Sequence, residues 1–299
     1  MNLHDDGRRD SLAENPLRAL KIAVAGKGGV GKTTLTSLLA GHFAGLGRPV
    51  LAIDADPSPC LGPALGFPAE KLERLVPLTE MDDLIAERTG TSVDGGSGGF
   101  FKLNPRVSDL PDRLSQIHNG VRLLLLGAVQ QGGGGCFCPA STVLQQLVRH
   151  VLLARDEVVL LDLYAGVEHL GRATADSVDV MLAVAEPTLR SLKTVAQIKQ
   201  LASDIGITNL LLVGNKVSRP EDLQFFIDNA SGLPIAGFLN TTELAIQADR
   251  SGSSLYGIDN VLAASVAGIA DRAEESCLGP SLHAQSDSSV PCDPAHGHL

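Results

Sequence analysis

The chain has 299 residues, of which 44% are hydrophobic and only 3% aromatic, and its formal net charge is −10. The length suffices for one large α/β domain or two small ones, and a core this poor in aromatics must be aliphatic, which suits buried parallel strands. An acidic surface repels nucleic-acid phosphates and anionic lipids, and no apolar run is long enough to predict a membrane-spanning helix, so we expect neither nucleic acid nor membrane as a partner.

The first segment, residues 1–20, is polar and charged and has no apolar stretch of the kind that a secretory signal carries. It predicts a disordered leader. Five cysteines are too few for a disulfide framework in a chain of this length. A reducing compartment is the natural reading, and we expect the protein to be cytoplasmic. Paired cysteines in that setting bind metal or do redox work.

Apolar strand-like runs then alternate with helical patterns. The predicted strands are residues 21–25, 49–53, 121–126, 158–163, 178–185, 209–213 and 235–239. The predicted helices are residues 32–46, 141–154, 188–205, 221–229 and 258–276. This alternation predicts a single-domain α/β fold over residues 21–276, with a mostly parallel central sheet of about seven to eight strands and helices on both faces. Ligands of such sheets bind at the carboxyl ends of the strands. Residues 277–299 are rich in Ser, Pro and His and predict a disordered tail.

The first strand and the first helix are joined by a loop that matches the pattern G-x-x-x-x-G-K-[ST], which predicts that the α/β domain is a P-loop NTPase. The glycines let successive backbone N–H groups point at phosphate oxygens, and the helix N-terminus adds its positive end. Lys32 should reach the β- and γ-phosphates of ATP, and the Thr33 hydroxyl should bind Mg²⁺. The residues predicted to bind the nucleotide here are Gly26, Lys27, Gly28, Gly29, Val30, Gly31, Lys32, Thr33 and Thr34.

Two further strand ends carry carboxylates. Asp54 and Asp56 follow the second strand, and Asp162 ends four apolar residues in the Walker B pattern. We predict that Thr33, Asp54 and Asp162 bind Mg²⁺ directly or through water. Asp-x-Asp-Pro is also an ordinary loop start, which is the alternative for the first pair.

A glycine-rich loop, residues 132–139, contains the pair Cys136 and Cys138. Two thiolates from one loop are too few for a closed tetrahedral site, but two copies of the loop meeting across a two-fold axis supply four sulfurs. Zinc, nickel and copper(I) all accept thiolates. A redox-active pair and two inert cysteines are the alternatives.

The second lysine of the phosphate loop, Lys27, makes the run KGGVGKTT similar to the deviant Walker A signature. That family includes septum-site and plasmid-partition ATPases, the nitrogenase iron protein and the nickel-insertion ATPases of carbon monoxide dehydrogenase. The resemblance implies a homodimer with ATP, in which Lys27 acts on the partner subunit's nucleotide and Lys32 on its own. It implies that Asp56 positions the attacking water. It also implies that Asn215 contacts the adenine, although Gly-Asn is equally a plain turn.

The cysteine loop, taken together with the run Glu168-His169-Leu170-Gly171-Arg172, resembles the nickel-insertion members of this family most specifically. The resemblance implies an ATP-dependent metallochaperone that carries Ni²⁺ or Zn²⁺ on Cys136 and Cys138 and serves a carbon monoxide dehydrogenase-type client. One position departs from the family: Tyr164 stands where an acidic residue is expected, which affects the chemistry of the second switch rather than the fold.

Two other classes of function compete with this one. A spatial organiser of the septum or partition type needs a basic face for DNA or a basic amphipathic helix for membranes. From residue 258 to the end, six acids and one basic residue, Arg272, disfavour that class. An electron-transfer iron protein bridges its dimer through cysteines far apart in the chain, and no such widely spaced pair is evident.

Overall fold

The computed structural model describes residues 19–91, 102–127, 139–164, 177–230 and 232–278. Residues 1–18 of the predicted leader and residues 279–299 of the predicted tail lie outside these ranges, as do Cys136, Cys138 and the run from Glu168 to Arg172. The predictions made for them therefore stay predictions.

Eight strands form one sheet with the order β3-β4-β2-β5-β1-β6-β7-β8. Every neighbouring pair is parallel except β3 with β4. The strands are β1 (Leu20–Gly26), β2 (Val50–Ala55), β3 (Gln116–His118), β4 (Val121–Leu125), β5 (Val158–Leu163), β6 (Val180–Ala185), β7 (Leu210–Val217) and β8 (Ile235–Asn240). The predicted α/β class and the mostly parallel sheet are confirmed.

Ten α-helices and one short 3-10 turn, Leu78–Glu80, surround the sheet in the described part of the chain. The helices are α1 (Lys32–Gly45), α2 (Leu61–Ala64), α3 (Ala69–Leu72), α4 (Asp82–Thr89), α5 (Leu110–Leu114), α6 (Pro139–Ala154), α7 (Leu189–Ile205), α8 (Pro220–Asn229), α9 (Glu243–Ser251) and α10 (Asn260–Ser276).

The sheet separates two aliphatic cores, because successive side chains of a strand point to opposite faces. Strand β1 shows this directly: Ala23 and Ala25 belong to the core under α4 to α8, whereas Ile22 and Val24 belong to the core under α1, α2, α9 and α10. All of β1 is buried. A strand covered on both faces reads as a continuous apolar run, which is why the sequence predicts it well.

The register of the central strands brings the carboxylates together. Asp54 of β2 lies directly opposite Asp162 of β5, and Asp162 lies opposite Val24 of β1. Because these strands are parallel, their carboxyl ends share one margin of the sheet, which we call the carboxyl edge. The loop after β1 and the loop after β2 both leave from this edge.

Strand β3 and the helices α2 to α5 and α9 were not predicted from the sequence. Strand β3 pairs with β4 through a two-residue turn at Asn119 and Gly120, whose φ angles are 47° and 78°. Asn-Gly with both φ angles positive is the most favourable short hairpin turn. The dipeptide was therefore a signal for β3, but the strand it adds has only three residues and no apolar run.

Candidate nucleotide-binding site

The loop between β1 and α1 has the backbone conformation of a phosphate cradle. Gly29 and Gly31 adopt φ angles of 78° and 98°, which side chains other than glycine disfavour. Gly31 precedes the first turn of α1, and no side chain caps the N-terminus of this helix. Its N–H groups thus face the loop without a side-chain acceptor, as an anion site at a helix start requires.

Lys32 lies inside this loop. Its side chain is almost fully buried, with 7% exposure, and its Nζ donates a long hydrogen bond of 3.4 Å to the Lys27 carbonyl oxygen. A buried ammonium held by one long contact is placed to take a stronger anionic acceptor. Lys27 itself is partly exposed, and its action on a partner subunit's nucleotide stays a prediction.

Thr33 and Asp162 meet across the end of β5. The Thr33 hydroxyl donates to Oδ2 of Asp162 at 2.6 Å. The other oxygen, Oδ1, is buried and has no hydrogen-bond partner among the described residues. Burial raises the pKa of Asp162 to about 7, against the lowering effect of the Thr33 hydrogen bond. An unpartnered buried carboxylate oxygen is costly, so this site is organised around something that binds there.

Asp54 is fully buried and has a different environment. Its carboxylate accepts backbone N–H groups from Asp56 at 3.0 Å, Cys60 at 3.0 Å and Leu61 at 2.9 Å. Burial raises its pKa to about 6, and these three hydrogen bonds oppose the rise. Asp54 therefore fixes the loop after β2. Its predicted contact with the water shell of Mg²⁺ stays a prediction.

Asp56 is half-buried in the loop that Asp54 holds, and its carboxylate accepts the Ser58 N–H at 2.8 Å. This places a hydrogen-bonded carboxylate at the carboxyl edge. Its predicted role on the attacking water is untested. Cys60 is exposed in the same loop.

The oxygen donors at this edge suit Mg²⁺, which prefers carboxylate, hydroxyl and water oxygens together with nucleotide phosphates. The unpartnered Oδ1 of Asp162 and the Thr33 hydroxyl are the groups of this chain that would hold the ion. When bound, Mg²⁺ neutralises charge on the transferring phosphate. The chemistry predicted for Thr33 and Asp162 is thus compatible with the side chains that the structure brings together.

Asn215 lies at the end of β7 and contacts the phosphate loop. Its Nδ2 donates to the Val30 carbonyl oxygen at 2.7 Å, and its Oδ1 accepts the Lys216 N–H at 2.8 Å. A carboxamide has two N–H groups and two lone pairs, so one of each is left for a purine edge. The predicted adenine contact stays open, and the contact with Val30 is new. A Cβ on Gly31 would lie 2.1 Å from Nδ2, so Asn215 also explains this glycine.

Lys216 is the site residue that sequence reasoning missed. Its Nζ donates to the Gly29 carbonyl oxygen at 2.7 Å and pairs with Glu186 at 3.3 Å. The one sequence signal for this residue was its position directly after Asn215 at a predicted strand end. Tyr164, the departure from the family pattern, is 49% exposed at the end of β5.

Two negative findings apply to the described residues alone. No group of three or more His, Cys, Asp or Glu side chains in those ranges is arranged to hold a metal ion. No helix within them has the length and apolarity that crossing a membrane requires. The predicted Cys136 and Cys138 site lies outside the described residues and is untouched by the first finding.

Known proteins resemble this chain in sequence and in fold. A family model described as the CobQ/CobB/MinD/ParA nucleotide binding domain matches residues 21–255. The carbon monoxide dehydrogenase accessory protein CooC of Rhodospirillum rubrum is 44% identical over 239 residues, covering 80% of this chain and 90% of that protein. An uncharacterised ATP-binding protein of Methanocaldococcus jannaschii is 46% identical over 239 residues, covering 79% of this chain and 91% of its own length.

Among solved structures, the MinD cell division protein of Aquifex aeolicus superposes with a TM-score of 0.60 at 20% identity, covering 92% of this chain and 100% of that one. A ParA family ATPase from Chlorobium tepidum gives a TM-score of 0.59 at 19% identity, covering 86% of this chain and 98% of its own. At such identities the likeness concerns the fold.

Proposed function

The chain belongs to the CobQ/CobB/MinD/ParA family of nucleotide-binding proteins and is a P-loop ATP hydrolase, and from this premise we propose that it is an ATP-dependent metallochaperone for nickel. The observation that carries the proposal is the 44% identity with the Rhodospirillum rubrum accessory protein over 80% of this chain. The client is then an enzyme of the carbon monoxide dehydrogenase type. The protein works in the cytoplasm, where such clients are assembled and thiols stay reduced.

The metal is held by Cys136 and Cys138. The described elements on either side support this assignment: β4 ends at Leu125, which pairs with Asp54 at the carboxyl edge, and α6 begins at Pro139. The chain therefore leaves β4 at the edge that carries the nucleotide site. Two thiolates per chain suit Ni²⁺ or Zn²⁺ when a second copy supplies two more.

ATP binding drives the assembly of this shared site. A homodimer forms around ATP, Lys27 of each subunit acts on its partner's nucleotide, and Asp56 positions the water for hydrolysis. Nucleotide can change metal binding only if the closed and open states differ in their affinity for the metal. Bringing the two cysteine loops together in the closed state provides that difference, and hydrolysis then releases nickel to the client.

A spatial-organising role is less well supported. The likeness to MinD and ParA proteins is below 25% identity and concerns the fold. Helix α10, near the end of the described chain, buries Val266 and Ile269 against the sheet. The charged residues of this helix are one basic residue, Arg272, and three acidic ones, Asp271, Glu274 and Glu275. This balance of charge disfavours binding of the helix to anionic lipid or to DNA phosphates.

The test is a nickel titration combined with measurement of molar mass in solution, with and without a non-hydrolysable ATP analogue. We expect about one metal per two chains in the ATP state. The double variant Cys136→Ser/Cys138→Ser should lose this site. Cys60→Ser is the matched control, because Cys60 is exposed beside the nucleotide site, the substitution keeps the backbone N–H that Asp54 accepts, and a hydroxyl can replace the thiol that donates to the Ser58 carbonyl oxygen at 3.1 Å. One metal per chain on a monomer, retained in the double variant, would remove the shared-site proposal.

The client is tested separately. Apo carbon monoxide dehydrogenase is activated at limiting nickel with the parent chain and ATP, with the parent chain and no nucleotide, and with the Cys136→Ser/Cys138→Ser variant. Activation that needs both ATP and the two cysteines supports nickel delivery. Equal activation in all three arms contradicts it.

A further inference from the structure

The end of β7 is irregular at the point where it reaches the phosphate loop. Gly214 pairs with Phe238 of β8, but Val217 pairs with Asn240, so β7 contains one residue more than its partner between these two pairs. Lys216 lies in this bulge with φ of 58°. Non-glycine residues seldom adopt that conformation unless the surroundings enforce it, and bulges at active sites re-aim side chains.

The bulge lets two successive side chains reach the same loop. In a regular strand, residues 215 and 216 would point to opposite faces of the sheet. Here Asn215 donates to the Val30 carbonyl oxygen and Lys216 to the Gly29 carbonyl oxygen, each at 2.7 Å. Consecutive residues of β7 thus hold consecutive carbonyls of the phosphate loop.

Holding these carbonyls orients the N–H groups that follow them. In a trans peptide the C=O and the next N–H point in opposite directions. When the Gly29 and Val30 carbonyls are held on the β7 side, the N–H groups of Val30 and Gly31 are turned the other way, into the cradle. At present the Val30 N–H makes only a long bond of 3.4 Å to the Lys27 carbonyl oxygen.

The ammonium of Lys216 is itself held in place. Glu186, the residue after β6, lies 3.3 Å from Nζ and gives the cation a counter-charge at the same edge. The lysine side chain is 47% exposed, so it joins the loop to the sheet from the solvent side while Asn215 does so from a buried position.

We propose that Lys216 is a positioning residue of the ATPase, which acts through the Gly29 carbonyl to keep the phosphate loop in its binding conformation. It contacts the loop backbone and needs no contact with the base. Removing its ammonium therefore weakens the binding of any polyphosphate, whether or not a base is attached.

The test uses three substitutions at one position. Lys216→Met keeps the aliphatic stem and removes the charge, Lys216→Arg keeps a cation, and Lys216→Gly removes the side chain while relieving the positive φ. Lys71→Met is the matched control, since the Lys71 Nζ also donates to a backbone carbonyl, that of Ile117 at 2.6 Å, on the edge strand β3. Affinities are measured for Mg²⁺·ATP and for Mg²⁺·tripolyphosphate, together with kcat, KM and the melting temperature.

We expect Lys216→Met and Lys216→Gly to lower the affinity for both ligands by a similar factor, about tenfold, because a partly exposed charge-assisted hydrogen bond is lost. KM should rise with kcat nearly unchanged, because the loop binds ground state and transition state alike. Lys216→Arg should restore most of the affinity, Lys71→Met should change none of these values, and Lys216→Gly should melt no lower than the parent.

Three results would overturn the proposal. Unchanged affinity for both ligands shows that the contact with Gly29 is dispensable. A lower affinity for ATP with an unchanged affinity for tripolyphosphate assigns Lys216 to a contact with the base or the ribose. A melting temperature of Lys216→Gly several degrees below that of the parent shows that the lysine supports the fold rather than the loop.

Discussion

The Thr33 hydroxyl donates to one oxygen of Asp162 at 2.6 Å, while the other oxygen of that carboxylate is buried without a hydrogen-bond partner among the described residues. The two residues come from the start of α1 and the end of β5, far apart in the chain. In the absence of Mg²⁺ burial opposes a charge on Asp162 more strongly than the Thr33 hydrogen bond and the Lys32 ammonium support it, which is why the pKa of this carboxyl is raised. The stability of the Mg²⁺-free protein thus depends on pH.

We predict that the stability of the nucleotide-free, Mg²⁺-free protein falls as pH rises from about 5 to 8. The pKa of Asp162 is raised to about 7 in the folded chain from 3.8 as a free side chain. Between these values the folded state binds more protons than the unfolded state, so the free energy of unfolding decreases with increasing pH. Asp54, whose pKa is raised to about 6, acts in the same direction. Melting temperatures in EDTA across this range check the prediction.

Asp162→Asn should flatten that pH dependence and melt higher than the parent at pH 8 without Mg²⁺. An amide keeps an acceptor for Thr33 and removes the buried charge. The same change should lower ATPase activity by about a hundredfold or more, because a carboxylate that supports Mg²⁺ is lost. A variant that melts lower at pH 8 and retains full turnover would contradict both the charge argument and the assignment of Asp162 to Mg²⁺.

Substitutions of Lys32 and of Asp56 are expected to impair different steps, nucleotide binding and hydrolysis respectively. Lys32→Ala removes a nearly buried ammonium from the phosphate loop and should abolish both nucleotide binding and turnover. Asp56→Asn keeps an acceptor for the Ser58 N–H, so the loop stays in place. It should bind ATP like the parent and hydrolyse it about a hundredfold more slowly, since the attacking water loses the carboxylate that positions it. Binding by fluorescence and single-turnover hydrolysis separate the two effects, and equal turnover in Asp56→Asn would exclude the assigned role.

Gly31→Ala should destabilise the chain more than an ordinary change at positive φ and should abolish nucleotide binding. The alanine would have to adopt a φ angle of 98°, and its Cβ would approach Asn215 Nδ2 to 2.1 Å. The loop must therefore move away from the end of β7. Gly47→Ala is the matched control, with φ of 76° and open space around its Cβ. The control isolates the cost of the backbone conformation, about 1–2 kcal/mol. Urea unfolding of both variants measures the difference, and equal losses would show that the contact with Asn215 yields easily.

The sequence predicts the central sheet and the phosphate loop because each produces a pattern of residues that are neighbours in the chain. Strands β1, β2 and β5 are buried on both faces and read as apolar runs, and the loop carries its glycines and lysines in sequence. Strand β3 is different. It is short and partly exposed, and only the Asn119–Gly120 turn marks it.

Contacts between distant segments could not be predicted in this way. Nothing local says that Lys216 adopts a positive φ or that its Nζ lies against the Gly29 carbonyl oxygen, 187 residues away in the chain. Likewise, the three backbone donors to Asp54 depend on the path of the loop after β2. Residue types and strand ends predict which side chains gather at the carboxyl edge, whereas their individual partners follow from tertiary geometry.

Helix α1, which begins at the phosphate loop, buries apolar residues such as Leu35 and Phe43 in the core and also packs against a tyrosine through two of its glycines. Tyr256 packs on Gly41 and Gly45, and a Cβ on Gly41 would lie 2.4 Å from the Tyr256 ring. Gly41→Ala should therefore displace the tyrosine and lower the free energy of unfolding by about 1–3 kcal/mol, as overpacking usually does. Gly268→Ala, in helix α10 with nothing within 4 Å of its Cβ, should instead stabilise the chain by about 0.5–1 kcal/mol.

The pair of variants separates helix propensity from packing. Both replace a helical glycine by the best helix former, so propensity alone predicts stabilisation in each case. Opposite signs in urea unfolding show that the contact with Tyr256 dominates at Gly41. In addition, Gly41→Ala should weaken ATP binding while Gly268→Ala leaves it unchanged, because only α1 carries the phosphate loop at its N-terminus. If both variants gain stability, Tyr256 moves aside without cost, and its contact with Gly41 and Gly45 does not position the nucleotide site.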